Sequence, residues 1–437
     1  MNNKKIFFWS ISVSLSGFLF GFDTVVISGA NLPIRELWGT SPLFHGIFIM
    51  SMALWGTVVG ALFGSYPCDK FGRKKTLIVI GLLFLFSALG SAVAWDPYSF
   101  SFFRFIGGVG VGASSVASPT YISEVSNKDN RGRLVALYQF NIVLGILIAY
   151  FSNYLLQGFG GEIDWRYMLG VEAIPSLFFL LSITKIPESP RWLILFGNNE
   201  NKAREILKIM YKNADVDKKI TQIRRVDDIH KLSLFSKPFF RQLKLAFLIS
   251  FFNQLSGINF VLYYAPQILE SAGFGTSDSL MSSISIGFIN LIFTLIGVRL
   301  IDSFGRKFLM YIGSIGYIVS LISIGSCFIL NLNSDILLFF ILLFVASHAV
   351  GQGAVIWVFI SEIFPNSVRA KGQSFGAGIH WVFAALITAL TPYVIELLGN
   401  NPGLLFFFFG GMMVFQLLFV FNTMPETRKT SLEKMKL

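Results

Sequence analysis

Residues 68–74 read Cys68-Asp69-Lys70-Phe71-Gly72-Arg73-Lys74, and residues 301–307 read Ile301-Asp302-Ser303-Phe304-Gly305-Arg306-Lys307. The same short turn occurs twice, with acid, glycine and base in matching places. A second pair of segments repeats in step with it. Tyr121-Ile122-Ser123-Glu124 precedes Arg131, and Phe359-Ile360-Ser361-Glu362 precedes Arg369 at the same spacing. The chain therefore reads as two like halves, each carrying the same charged turns.

What lies between these turns sets the solvent. The 437 residues are 54% hydrophobic and only 14% charged, against about a quarter charged in soluble domains. Forty-eight phenylalanines exceed what a water-soluble core would hide. Blocks such as 76–95, 134–161, 245–269, 308–334 and 397–425 carry no charge. A helix crossing a bilayer needs ~20 such residues, and strands are far shorter. Twelve spans are expected, near 6–30, 44–66, 76–95, 99–123, 133–156, 165–186, 243–269, 279–301, 308–330, 336–361, 372–398 and 403–423. The first lacks a small-residue cleavage site and reads as a retained span.

The net charge of +11 raises the question of nucleic acid, and its distribution answers it. Basic residues gather at alternate loops (4–5, 70–75, 128–133, 191–244, 306–307, 369–371 and 428–436), while the other loops hold little beyond Arg35 and Arg166. This is the positive-inside pattern; it predicts both termini in the cytoplasm and no nucleic-acid partner. Cys68, Cys327 and four scattered histidines show no metal spacing, so no metal and no cofactor are expected. No nucleophile–base pair or phosphate loop appears, which speaks against an enzyme.

The one long polar stretch inside the chain, 188–241, reads as short amphipathic helices on the cytoplasmic face. It suggests a six-span bundle at 1–187, the helical linker at 188–241, a second bundle at 242–425 and a tail at 426–437. Duplicated six-span halves are a transporter signature, with the substrate site between them. Asp69, Arg73, Glu124, Arg131, Asp302, Arg306, Glu362 and Arg369 are candidate gating charges that bridge the halves when the cytoplasmic side is shut. The plainer alternative is that they only set topology.

One acid interrupts the first apolar run. Asp23, in GFLFGFDTVVISG at 17–29, is the only charge from 6 to 34. At 1.5 Å per residue it lies ~24 Å along a helix entering near Phe7. Arg104 lies ~7 Å into a helix entering from the opposite side, and Glu172 enters similarly. The three are expected to form a buried cluster. Intramembrane charges are usually paired and often carry protons, although a static ion pair would also explain them.

The ordered motifs GFLFGFDTVVISG, DKFGRKK, RFIGGVGVG, PTYISE, PESPRWL, QLSGIN, SEIFPNSVRAKG and PET resemble the sugar porter family of the Major Facilitator Superfamily along nearly the whole chain. The resemblance implies an all-α membrane protein of twelve helices in two six-helix bundles plus a cytoplasmic helical segment. It also implies alternating access to a central sugar site. By position it assigns sugar contacts to Phe20, Gln139, Gln254, Asn259, Tyr263, Asn290, Gly353, Trp357 and Trp381. Depth agrees with that assignment: Gln254 and His380 lie roughly 10–16 Å in from the cytoplasmic edge, near the middle of a ~30 Å core. Amides offer donors and an acceptor to hydroxyl groups, and tryptophan offers a flat apolar face.

Three positions depart from the family pattern. Asn253 stands where a second Gln is common, His380 where Gln or Asn is usual, and Ile146 where xylose-type porters carry Gln. Asn253 and His380 remain candidate sugar ligands, and the apolar Ile146 leans towards a hexose such as D-glucose. The resemblance also links an acid at the Asp23 position with proton coupling. The expected function is proton-coupled monosaccharide import, with sugar, proton and bilayer as partners and the chain a monomer. Rivals are a facilitative uniporter, a pentose or inositol symporter, and a sugar sensor that does not transport; the short segment after Pro425 speaks against the sensor. The short first loop, unlike that of glycosylated eukaryotic relatives, points to a prokaryotic plasma (inner) membrane.

Overall fold

The computed structural model describes residues 3–126, 130–211, 213–225, 233–365 and 368–428. Among them there are helices and no strands. In hydrocarbon every peptide group must be satisfied within the chain, and a helix does this without a partner. The spans are α1 (Lys4–Trp38), α2 (Pro42–Met50 and Met52–Phe63, bent by 40°), α3 (Arg73–Val93), α4 (Pro97–Val125), α5 (Gly132–Leu156) and α6 (Gly161–Thr184). The second half supplies α7 (Lys237–Tyr263), α8 (Thr276–Phe304), α9 (Arg306–Ile329), α10 (Ser334–Ile363), α11 (Arg369–Leu397) and α12 (Gly403–Asn422). Helix α1 runs well beyond the apolar stretch that predicts it and carries Arg35 and Glu36 on its last turn.

Each half packs on itself before it meets the other. In the first, α1 lies against α5 and α4, α4 against α2 and α3, and α3 against α6; in the second, α9 packs on α10 and α12, α8 on α10, and α7 on α11. The α2–α4 contact is a seam of Gly56, Gly60 and Gly64 against Gly108 and Gly112. A Cβ added to Gly108 would sit 1.8 Å from the Ala53 carbonyl oxygen. Small residues let transmembrane backbones approach this closely. The two bundles meet through α1–α7, α2–α11 and α5–α8. Large apolar side chains on the outer faces, among them Phe86, Phe102, Phe178, Phe408 and Phe421, are exposed. That surplus of phenylalanine faces lipid.

Between the bundles run Pro190–Leu195, Glu200–Met210 and Asn213–Arg225. The Glu200–Met210 helix buries Ala203, Ile206, Leu207 and Met210 on one face, in a cluster shared with Ile6, Trp9 and Val13 of α1. It is amphipathic, as its sequence requires, and docks on the first bundle.

The repeated turns have one geometry. Gly72 sits at φ 96° and Gly305 at φ 95°, each the hinge into the next span. Only glycine adopts this backbone without strain. A Cβ would meet Glu188 Oε2 at 2.3 Å in the first copy and Glu426 Oε2 at 2.6 Å in the second. Replacing either Gly72 or Gly305 by Ala is expected to cost about 1–3 kcal/mol, read as a lowered melting temperature in detergent. An unchanged midpoint in both would show that the turns carry no strain.

Candidate functional site: a central cavity and a buried charge cluster

The span α7 is not continuous. Helix stops at Gln254, resumes at Ile258 after Leu255–Gly257, and stops again at Tyr263. The break turns Gln254 and Asn259 towards each other, and Asn259 Nδ2 donates to Gln254 Oε1 at 2.9 Å. An unbroken helix would not place residues five apart on one face. Span α10 breaks likewise at Gly351, where Gly353 and Trp357 follow.

Both breaks border a cavity of ≈ 1430 Å³ between the bundles. Phe20 of α1 and Gln139 of α5 line it from the first half; Asn253, Gln254, Asn259, Asn290, Gly353, Trp357, His380 and Trp381 line it from the second. Ile146 lines it too, as do Thr24, Ile142, Thr294 and His348, which sequence reasoning passed over. Tyr263 is not among the lining residues; it is buried, with its phenol beside Thr24 and in the field of Asp23 and Arg104.

The polar core of the cavity is a closed amide network. Gln254 Nε2 donates to Asn253 Oδ1 at 2.9 Å and lies 3.1 and 3.2 Å from the two ring nitrogens of His380. The His380 ring is held between Trp357 and Trp381, with centroids 4.9 and 4.7 Å away. Phe20 reaches across from α1 to Trp381 at 5.5 Å. The carboxylates that line this space, Asp69 and Asp302, belong to the repeated turns at its mouth. A pocket of amides and indoles without a central charge suits a neutral polyhydroxylated ligand.

The cavity opens towards the basic end of the molecule, reaching Asp69, Arg73, Asp302, Arg306 and Lys371. The other end is shut by bonds between the bundles. Asn31 Nδ2 donates to Gln267 Oε1 (2.8 Å) and Tyr150 to the Leu262 carbonyl (2.8 Å); within the first bundle His45 Nε2 bonds Asn31 Oδ1 (2.8 Å) and orients it. A Cβ on Gly46 would lie 1.9 Å from the Ala389 carbonyl oxygen, so α2 and α11 touch there.

Beside the cavity, away from its lumen, the three intramembrane charges meet. Arg104 donates one amine to Asp23 Oδ1 and the other to the Asp23 carbonyl at 2.9 Å. Glu172 faces both, and its Oε1 has no hydrogen-bond partner. All three side chains are buried. Gly107 leaves room for them: a Cβ there would lie 2.3 Å from Ser87 Oγ and 3.5 Å from Asp23 Oδ1.

At the basic end the two copies form matching clamps. Arg73 Nε and Nη2 donate to Glu124 at 3.0 Å each, and Nη1 reaches Asp69 at 3.1 Å. Arg306 Nε and Nη2 donate to Glu362 at 3.0 and 2.8 Å, and Nη1 reaches Asp302 at 3.3 Å. Two further acids complete the design. Glu188 accepts from the backbone N–H of Arg73 and Lys74, and Glu426 from those of Arg306 and Lys307. Ser189 and Thr427 donate to Glu124 and Glu362. Burial pushes the Glu188 carboxyl up despite its backbone donors, whereas for Glu426 the backbone donors outweigh burial and hold it down. The signal was in the sequence as Pro187-Glu188-Ser189 and Pro425-Glu426-Thr427, one after each half. Among the described residues every such pair lies within one half, and no ion pair crosses between them. Arg369 donates to the Phe364 carbonyl at 3.3 Å rather than to Glu362; the side chain of Arg131 lies outside the described residues.

Residues 9–437 match the model of the sugar (and other) transporter family. The chain belongs to that family. It is 37% identical to the arabinose-proton symporter of Bacillus subtilis, over 98% of this chain and 93% of that protein. It is 34% identical to the glucose transport protein of Synechocystis, over 99% and 97%. Its fold matches the partially occluded inward-open xylose transporter XylE of E. coli, with a TM-score of 0.87 and 31% identity over 98% of this chain and all of that one. This family member is a multi-pass membrane transporter, not an enzyme.

The charge cluster makes a specific demand on stability. Replacing Arg104 by Leu leaves Asp23 and Glu172 facing each other without a cation, which is expected to cost about 3–5 kcal/mol. Adding Asp23→Asn to that variant is expected to restore much of the loss in detergent melting. Additive losses in the double variant would mean that the pair is not energetically coupled.

Proposed function

We propose that this transporter imports a monosaccharide, a hexose such as D-glucose, together with a proton. The observation that carries the reading is the position of α1. One turn of this helix puts Phe20 and Thr24 in the cavity and Asp23 against Arg104, outside it. Sugar and proton thus act on the same rigid element from opposite sides. Protonating Asp23 removes half of an ion pair and leaves Arg104 to Glu172, whose Oε1 is unpartnered. The exchange shifts α4 and α6 against α1, and α1 carries the shift to the α7 contact that shuts the far end.

The positive-inside rule supports a basic end and both termini on the cytoplasmic side of a bacterial plasma membrane. The cavity then faces inward. In this reading the units that rock are 1–187 and 242–425, the linker 188–241 and tail 426–437 begin with the acids that clamp them, and the unit of function is a monomer. Of the gating charges, Asp69, Arg73, Glu124, Asp302, Arg306 and Glu362 brace the hinged turns while the cytoplasmic side is open, and Arg131 and Arg369 are held for the shut state. Shutting it requires them to exchange partners. Ile146 supports a hexose through the family resemblance: it gives the cavity an apolar wall where xylose-type porters carry Gln. A pentose is the second reading, favoured by the likeness to an arabinose-proton symporter.

Uptake of labelled D-glucose, D-xylose and L-arabinose into vesicles, with and without a pH gradient, tests the reading. Accumulation of glucose above equilibrium only with the gradient is expected. Asp23→Asn is expected to abolish that accumulation while sugar exchange across the membrane persists. Accumulation that survives in Asp23→Asn would remove the proton role from this residue. Gln254→Ala and Trp357→Ala are each expected to weaken sugar binding by about 1–3 kcal/mol; unchanged binding in both would move the site elsewhere.

A further inference from the structure

The amide network is a set of linked donors and acceptors, and one member changes its hydrogen-bonding sense with charge. Gln254 Nε2 has two hydrogens; one goes to Asn253 Oδ1 and the other to a ring nitrogen of His380. Gln254 Oε1 is taken by Asn259 Nδ2. This arrangement needs a neutral imidazole, because only the neutral ring has an accepting nitrogen. A protonated ring has donors alone, and both of its nitrogens face an amine. Relief requires Gln254 to turn its oxygen to His380. Its amine then faces Asn259 Nδ2 and its oxygen faces Asn253 Oδ1, so both asparagines must turn as well. Asn253 and Asn259 consequently exchange the group each leaves over for the lumen.

We propose that His380 is a proton-responsive specificity residue seated in the sugar site, whose charge sets the donor–acceptor pattern that Asn253, Gln254 and Asn259 present to the ligand. The proposal rests on the reading of this cavity as the sugar site. It adds a second protonation event, separate from Asp23 and opposite in effect. Among the described residues the titratable group facing His380 is His348 on α10, whose Nδ1 is bonded to the Tyr317 hydroxyl. From α7 it meets Gln254, from α10 also Trp357, and from its own helix Trp381. None is an acid. A cation on His380 is therefore stabilised by cavity water, and a bound neutral sugar displaces that water without supplying a counter-charge. Proton and sugar compete at this residue.

The test is equilibrium binding of D-glucose, D-xylose and L-arabinose to the detergent-solubilised full chain as a function of pH, in the parent and three variants. Parental affinity is expected to fall by about tenfold on acidification from pH about 7.5 to about 4, a range that reaches below the free imidazole's because burial disfavours the charged ring. The fall is expected to persist in Asp23→Asn and in His348→Phe and to vanish in His380→Gln, which keeps a donor and an acceptor but cannot charge. A merely structural His380 would lower affinity equally at every pH. Persistence of the acid fall in His380→Gln, its absence from the parent, or its loss in either of the other variants would overturn the proposal. Failure to bind any of the three sugars at pH about 8, where the ring is neutral, would instead overturn the sugar-site reading and this proposal with it.

Discussion

Hydrocarbon does not hydrogen-bond peptide groups, and the rest of this structure follows from that constraint. It forces the described spans into helices and makes any interruption costly unless protein or water replaces the lost bonds. The interruptions are therefore informative. Span α7 breaks after Gln254 and α10 at Gly351, and both breaks border the cavity. The chain itself takes up what the helices give up there: Ser256 Oγ donates to the Asn253 carbonyl and accepts from the Ile258 N–H, the Gly257 N–H donates to the Gln254 carbonyl, and the Val355 N–H donates to the Gly351 carbonyl. The proposed binding site is shaped by these two breaks, and they are tolerated because protein groups replace the lost bonds.

Duplication explains the second layer. A turn that needs glycine at positive φ also leaves the first backbone N–H groups of the next helix without partners. In both halves a glutamate from the segment after the last span fills that need: Glu188 at Arg73 and Lys74, Glu426 at Arg306 and Lys307. The same arginine then holds a second glutamate at the end of another span. Among the described residues, these clamps tie each half's basic end with groups of the same half or of the segment that follows it. Two units braced in this way can move as bodies, whereas ion pairs crossing between them would resist the motion.

How much of this was legible in the sequence depends on the range of the interaction responsible. The spans were legible because each is decided by ~20 consecutive residues and the bilayer. Their ends were less so: α1 reaches Trp38 because Arg35 and Glu36 can sit in its last turn beyond the apolar stretch. The repeated turns were readable as a motif, and their glycine geometry follows from it. Their partners were not, since Glu188 pairs with residues more than a hundred positions away. Ten of the residues assigned to the sugar by resemblance or by departure from it line one cavity, but Tyr263 turns instead to Thr24 and the charge cluster. Neighbours on a one-turn helix between two breaks point in directions that no periodicity over so short a piece can fix. Likewise, no spacing rule would have joined Asn31, His45 and Gln267, which meet only because α1, α2 and the short helix Ala265–Ser271 after α7 converge at the closed end.

The coupling proposed for Asp23 requires it to stand apart from the cavity. Were the acid in the lumen, cavity water would solvate it in whichever direction the cavity opened. Its protonation would then answer to bulk pH and not to conformation. Packed among Arg104, Glu172 and Gly107, it is instead governed by the positions of α1, α4 and α6 within the first bundle, so the proposed coupling needs these helices to shift against one another as the bundles rock. The sugar site has the opposite need: it must be wet enough to admit a ligand and neutral enough not to attract ions. Helix α1 reconciles the two by presenting Phe20 and Thr24 to one environment and Asp23 to the other. Tyr263 of α7, lying beside Thr24 and within the field of Asp23 and Arg104, extends that link to the second bundle. In the proposed coupling, this contact is the route by which a change in the ion pair reaches the span that carries Gln254 and Asn259, without either ligand having to touch the other.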